Sequence, residues 1–153
     1  MRLHLRISKM PVTMNQGCFL LVVSAVLVFA ELDQTSLPPE TKELMAALHK
    51  NCIEQIGVSE AEVDQLRAAN FEEDAKLKCY TRCLMAESGV MDENGAIDVE
   101  AFAEILPEAV RGNIQTIFRR CSLTNKDIED QCVKAYEMVK CWHKEDPESY
   151  FMI

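Results

Sequence analysis

The sequence has little of what interrupts a helix. Its 153 residues include only five glycines and five prolines. Apolar residues recur every three to four positions and do not alternate, so no segment favours a strand of useful length. The length suits one domain better than two. We therefore expect a single all-α domain of about six short helices.

The sequence also lacks the usual arrangements of catalytic and metal-binding residues. His49 and His143 are the only histidines after residue 30, and neither has an H-x-x-x-H spacing or an adjacent aspartate. No G-x-S-x-G nucleophile motif occurs. Residues 90–101 lack the carboxylates that a calcium loop needs at its first and last positions. We expect no enzymatic activity, no metal and no cofactor.

The apolar run at residues 18–30 is about 13 residues long, short of the roughly 20 that cross a bilayer. It follows Arg2, Arg6 and Lys9 with no acidic residue, and polar residues begin at Glu31. A basic start, a short apolar run and small residues before the polar segment are typical of a signal peptide cut after Ala30. We expect residues 31–153 to form a secreted, extracellular domain; an uncleaved membrane anchor is the weaker alternative.

The expected mature domain is strongly acidic. It keeps all 25 acidic residues and 13 of the 16 basic ones, which gives a net charge of −12. Such a charge disfavours nucleic acid and anionic membrane surfaces as partners.

Helix-starting and helix-ending residues divide the domain into six segments. The first helix begins at the Pro38-Pro39 pair, with a proline in its first turn, and ends at Gly57, and a capping box of Ser59 and Glu62 opens the second, which runs to about Arg67. Residues 73–87 form the third, closed by Gly89, and a turn follows at residues 91–95. The remaining helices start at Asp98, at Pro107 and, capped by Thr124 and Asp127, near Lys126, the last running to about Lys144.

Six cysteines remain after residue 30, and they permit 15 pairings. Cys79 and Cys83 lie four residues apart on one helix, with Cβ atoms about 6 Å apart, whereas a disulfide needs about 3.8 Å. Cys132 and Cys141 lie on opposite faces of another helix. Excluding these two bonds leaves about ten pairings open.

The cysteine spacing C-x26-C-x3-C-x37-C-x10-C-x8-C resembles that of the insect odorant-binding proteins, the pheromone/general odorant-binding family. The segments LKCY at residues 77–80, MDENG at 91–95, KCW at 140–142 and DPESYF at 146–151 are similar as well. The resemblance implies the pairs Cys52–Cys83, Cys79–Cys132 and Cys121–Cys141. It also implies a helical carrier stapled around an apolar cavity.

The candidate cavity residues are apolar positions on the inward faces of the fourth, fifth and sixth helices, with additions from the first and third helices and the tail. They are Met45, Leu48, Leu84, Val99, Phe102, Leu106, Val110, Ile114, Ile117, Phe118, Met138, Val139, Trp142, Tyr150 and Phe151. The set has few polar atoms. We therefore expect a small hydrophobic ligand held by apolar burial, at about 25 cal/mol per Å².

The last four residues, 150–153, are large and mostly apolar. The resemblance implies that this tail closes the cavity. Its terminal carboxylate is then held by a residue of the first helix and by the tyrosine beside the second cysteine. These positions correspond to His49 and Tyr80, which form a candidate latch with Ile153. Our hypothesis is that acidification protonates the latch and releases the ligand, so that affinity falls between pH 7 and pH 5.

The resemblance implies binding of odorants or pheromones in olfaction, in sensillar lymph, with delivery to an olfactory receptor or co-receptor and with homodimers as a further form. One alternative is a carrier of lipids, hormones or other semiochemicals in non-sensory secretions. Another is a saposin-like membrane-active protein, which the absence of paired C-x2-C spacing disfavours.

Overall fold

The structure is a computed structural model that describes residues 38–106 and 108–153. The expected signal peptide and Pro107 lie outside the described residues. The described part contains six helices: α1 Pro39–Ile56, α2 Glu60–Arg67, α3 Ala75–Glu87, α4 Val99–Glu104, α5 Glu108–Thr124 and α6 Gln131–Glu145. None of these helices is long and apolar enough to cross a membrane. The all-α class predicted from the sequence is confirmed.

The first two helices begin and end at the residues that the sequence predicts. Pro39 starts α1, where a missing N–H costs no hydrogen bond. The helix ends at Gly57, whose positive φ of 71° suits a residue without Cβ and whose N–H donates to the Ile53 carbonyl. Ser59 and Glu62 form the capping box of α2, each accepting a hydrogen bond from the other's main-chain N–H.

The last helix starts later than the sequence predicts. We expected it to begin near Lys126, capped by Thr124 and Asp127, but it begins at Gln131 with Asp130 as its cap. The cause is local: α5 extends to Thr124, whose hydroxyl donates back to the Arg120 carbonyl at 3.0 Å. A turn then intervenes before the Asp130 carboxylate accepts from the Val133 N–H at 3.0 Å. That expected start was wrong.

Three disulfides join the helices around α3 and α6, the pair with the most extensive contact. Cys79–Cys132 links α3 to α6, Cys52–Cys83 links α1 to α3, and Cys121–Cys141 links α5 to α6. These are the three pairs that the resemblance implied. Both bonds that helix geometry excluded are absent from the described residues.

The apolar side chains form two clusters. The first cluster draws mainly on α4, α5 and α6 and includes Phe102, Phe118 and Trp142. The second draws mainly on α1, α2 and α3 and includes Tyr80. Phe71 and, from the tail, Met152 pack against both clusters. The two clusters therefore meet beneath the C-terminal tail.

Candidate ligand-binding cavity

A cavity of about 200 Å³ lies where the two clusters meet. Residues of α1, α3, α4, α5, α6 and the tail line it. They are Thr41, Leu44, Met45, Leu48, Thr81, Leu84, Met85, Glu87, Ser88, Val90, Phe102, Ile105, Phe118, Val139, Trp142, Phe151, Met152 and Ile153. Fourteen of these 18 residues are apolar, so the cavity suits an apolar guest.

Eight of the predicted cavity residues line this space. They are Met45, Leu48, Leu84, Phe102, Phe118, Val139, Trp142 and Phe151. Together they bring α1 and α3 from one cluster against α4, α5 and α6 from the other. The tail contributes Phe151 at the junction.

The other predicted residues are packed elsewhere, within or against the cluster of α4, α5 and α6. They are Val99, Leu106, Val110, Ile114, Ile117, Met138 and Tyr150. Ile114 and Met138 are fully buried in the core between helices and are not among the residues that line the cavity. Helical periodicity identifies the buried face of a helix, but that face is shared between neighbouring helices and the cavity.

Several lining residues were not predicted. They are Thr41, Leu44, Thr81, Met85, Glu87, Ser88, Val90 and Ile105, whereas Met152 and Ile153 belong to the tail that was expected to close the cavity. Thr81, Leu84, Met85 and Ser88 are spaced i, i+3, i+4 and i+7, which places them on one face of α3 and its C-cap. That spacing was visible in the sequence. A search for apolar residues alone passes over the two hydroxyls.

Aromatic rings form one wall of the cavity. Phe102 and Phe118 pack with ring centroids 4.0 Å apart, and Trp142 contacts both edge-on at 5.8 and 5.3 Å. Phe151 of the tail meets Trp142 edge-on at 5.2 Å. The indole N–H of Trp142 donates to the Ser149 hydroxyl at 3.0 Å. These contacts fix the ring orientations and attach the tail to α6.

The tail is anchored at its start as well. The Tyr150 hydroxyl donates to the Leu66 carbonyl at the end of α2, at 2.6 Å. Burial raises the pKa of Tyr150, so this hydroxyl keeps its proton. The Tyr150 ring also meets those of Phe71 and His143 edge-on. The tail thus leaves α6 in a defined direction before it reaches the cavity.

The three candidate latch residues are joined in one hydrogen-bonded chain. The Tyr80 hydroxyl donates to the main-chain oxygen of Ile153. Its oxygen then accepts from Nδ1 of His49 at 2.7 Å, because its only hydrogen is used. His49 therefore reaches the end of the chain through Tyr80, where the resemblance implied direct contact. Burial raises the pKa of Tyr80, so its hydroxyl stays protonated.

The far side of His49 faces charged residues of α2. Its Nε2 lies 2.8 Å from a carboxylate oxygen of Glu60, and this contact is the main reason that the pKa of Glu60 is lowered. Arg67 approaches the same carboxylate at 3.4 Å and pairs with Asp64 at 2.7 Å. The chain of hydrogen bonds therefore extends from the tail, through Tyr80 and His49, to an exposed ion-pair network.

Within the described part of the chain the cavity is open on one side, where the sequence led us to expect closure. Leu44, with 51% of its surface exposed, and the exposed Glu87 both line it. Thr81, by contrast, is only 1% exposed and marks the interior. The tail closes one wall but leaves an entrance between α1 and the end of α3.

Comparison with known proteins agrees with this architecture. The model of the PBP/GOBP family matches residues 34–145. General odorant-binding protein 69a of Drosophila melanogaster is 31% identical over 96 residues, a match that covers 62% of this chain and 64% of that protein.

Two solved structures have the same fold. Odorant-binding protein 7 of Anopheles gambiae, solved with an azo compound, is 29% identical with a TM-score of 0.65, over 74% of this chain and 91% of that one. Odorant-binding protein 5 of Apis mellifera is 26% identical with a TM-score of 0.62, over 74% and 95%. The family resemblance that the cysteine spacing indicated is thus confirmed, and the chain belongs to the PBP/GOBP family.

Proposed function

We propose that this protein is an extracellular carrier that binds a small hydrophobic molecule in the cavity and keeps it in solution for delivery to a membrane receptor. The observation that carries the proposal is the cavity itself, an apolar space between two packed clusters. Unfilled volume destabilises a fold by about 24 cal/mol per Å³, so a guest that fills this space stabilises the protein. The mosquito relative solved with an azo compound supports a carrier function.

The size of the cavity limits the ligand. Its volume of about 200 Å³ suits a compact ligand, and a longer or bulkier molecule extends through the entrance. Burying about 200 Å² of apolar ligand surface contributes about 5 kcal/mol. The cost of immobilising the ligand is subtracted from this contribution, so the net affinity stays low enough for release, as a carrier requires.

The proposed function requires that the chain is exported from the cell. We infer that residues 1–30 direct the chain out of the cell, from their basic start and short apolar run. The three disulfides support this inference, because they form and persist in oxidising compartments.

The chain offers a matched pair of variants to test the cavity. Leu44 and Leu123 are both exposed leucines on helices, but only Leu44 lines the entrance. We expect Leu44→Gln to weaken binding of the fluorescent probe N-phenylnaphthylamine about fivefold, through the loss of about 1 kcal/mol of apolar contact. Leu123→Gln should leave binding unchanged, and neither variant should alter the unfolding temperature much.

The proposal fails if the wild-type protein binds neither this probe nor any of a panel of volatile alcohols, aldehydes and esters. Equal binding by the two leucine variants would place the ligand elsewhere. Native mass spectrometry checks that one ligand is bound per chain.

A further inference from the structure

Glu87 is the one charged side chain of an otherwise neutral cavity. Of the 18 described lining residues, fourteen are apolar and three others, Thr41, Thr81 and Ser88, carry neutral hydroxyls. No lysine, arginine or histidine belongs to this described lining. A guest that carries a charge of its own therefore meets a single charged side chain, and its charge is negative.

The carboxylate of Glu87 is not committed to another contact in the fold. Within residues 38–106 and 108–153 it has no hydrogen-bond or ion-pair partner. By contrast, Glu60, Glu73 and Glu145 each pair with a basic side chain. Because Glu87 is also exposed, its side chain can turn toward a group at the entrance without breaking an internal contact.

The place of Glu87 on α3 is unfavourable for a carboxylate. It is the last residue of the helix, where the unpaired main-chain carbonyls carry partial negative charge, and the last turn of α3 contains no basic residue. The helix end and the side chain therefore repel each other. A cation at the entrance would relieve this repulsion and be attracted by both groups.

The surface beside the entrance adds further negative charge. Next to the lining residues of α1 and α4 in the chain stand three exposed acids, Glu40, Glu43 and Glu104, and one base, Lys42. Charges act on one another over about 8 Å at physiological salt. The attraction of a cation to the entrance therefore does not depend on one orientation of the Glu87 side chain.

We propose that the cavity favours molecules with an apolar body and a protonated amine, and that Glu87 stabilises the ammonium group at the entrance. This inference rests on the proposed function, since it names the ligand class of the same cavity. The apolar body is buried inside, whereas the ammonium group stays at the entrance beside water, because burial of an unpaired charge is costly. A carboxylate in the same place is repelled, so fatty acids are disfavoured.

The test compares three ligands of equal chain length: octylammonium, octanoate and octanol. Each displaces the uncharged probe N-phenylnaphthylamine at neutral pH and about 0.15 M salt. Glu87 attracts the first ligand and repels the second, and an exposed charge pair changes affinity by about 1.5- to 5-fold. We therefore expect octylammonium to bind about 2- to 25-fold more tightly than octanoate. In Glu87→Gln, which keeps the shape and removes the charge, most of this preference should disappear, with octanol affinity unchanged.

Glu54→Gln is the matched control, because it removes the same charge from another exposed glutamate. Glu54 follows Leu44 by ten residues on α1, which is about 15 Å along the helix axis at about 1.5 Å per residue. That distance is nearly twice the screening length of about 8 Å, so the preference for octylammonium should persist. Raising the salt to about 1 M, where the screening length is about 3 Å, should reduce the preference of the wild-type protein.

Four results are distinguishable. Equal affinity for octylammonium and octanoate, or tighter binding of octanoate, overturns the inference and leaves the carrier function standing if octanol still displaces the probe. A preference that survives Glu87→Gln overturns the assignment to Glu87. An equal loss of preference in Glu54→Gln overturns it as well, since the net charge of the protein would then be the cause. Failure of the wild-type protein to bind the probe or any of the three ligands defeats the proposed function and the inference with it.

Discussion

Tyr80 joins the C-terminal tail to the helices through a single hydroxyl group. The hydroxyl donates to Ile153 and accepts from His49. Tyr80→Phe removes the bonds to the Ile153 oxygen and to Nδ1 of His49 in a part-buried position, so we expect a loss of about 1–3 kcal/mol in unfolding free energy. We also expect faster hydrogen exchange at residues 150–153 and weaker probe binding.

Tyr136→Phe is the control for this change. Its hydroxyl also donates to a main-chain carbonyl, that of Glu72, at 2.6 Å, but it lies outside the latch and the cavity lining. A similar loss of stability with unchanged probe affinity is expected. Equal loss of binding in the two variants would contradict a specific role for Tyr80.

The pH dependence of the latch follows from Glu60. Its pKa is lowered from 4.5, chiefly by the hydrogen bond with His49 and further by Arg67. A carboxylate with a lowered folded-state pKa stabilises the fold above its ordinary value, and the effect is lost as the pH falls through the folded value. The Glu60 contact therefore persists at pH 5 and is lost below pH 4.5.

The pH range in which the latch is lost is therefore lower than the range of pH 7 to pH 5 that the sequence led us to expect. Tyr80 stays protonated throughout this range, because burial raises its pKa. We expect probe affinity to be level from pH 7 to pH 5 and to fall below pH 4.5. Glu60→Gln should flatten that fall, and the exposed Glu54→Gln should not; a fall already complete at pH 5 would contradict this account.

Among the elements, the C-terminal tail supplies the most cavity-lining residues for its length. Phe151, Met152 and Ile153 all line the void, while Ser149 and Tyr150 anchor the tail to α6 and α2. We expect deletion of residues 151–153 to weaken probe binding at least about tenfold, or about 1.4 kcal/mol. The helical circular dichroism should remain, because the anchors and the disulfides are retained. Unchanged affinity would show that the tail is no wall of the site.

The helix starts and the cavity-lining positions differ in how far the sequence predicts them. Capping residues are local, so the starts of α1, α2 and α4 were predictable from Pro39, Ser59 and Asp98. The start of α6 was not, because Asp127 and Asp130 are equally good caps and the length of α5 decides between them. Ile114 and Phe118 share one face of α5, yet only Phe118 reaches the void. Which neighbour a face meets depends on packing that a single sequence does not contain.

At the scale of the whole molecule, the disulfides offset the instability of a hollow core. A cavity of about 200 Å³ costs about 5 kcal/mol. The loops closed by Cys52–Cys83 and Cys121–Cys141, with sequence separations of 31 and 20, are each worth about 3–4 kcal/mol by chain entropy. The fold can therefore hold its helices around a void.

These two disulfides should differ in their effect on function. Replacing either pair by serine should cost a similar 3–4 kcal/mol or so in stability. Only the loss of Cys52–Cys83 releases α1, which carries four lining residues: Thr41, Leu44, Met45 and Leu48. We expect that variant to lose probe binding at a temperature where both remain folded by circular dichroism. Equal loss of binding in the two variants would contradict the role of α1 as a wall.

The central claim is that a small apolar ligand occupies the cavity between the two clusters. Trp142 tests it directly, because it is the only tryptophan of the chain, is 3% exposed and lines the cavity. Titration with octanol, with binding verified independently by native mass spectrometry, should change the Trp142 emission saturably at one ligand per chain. Binding at that stoichiometry with no change in Trp142 emission would contradict the account.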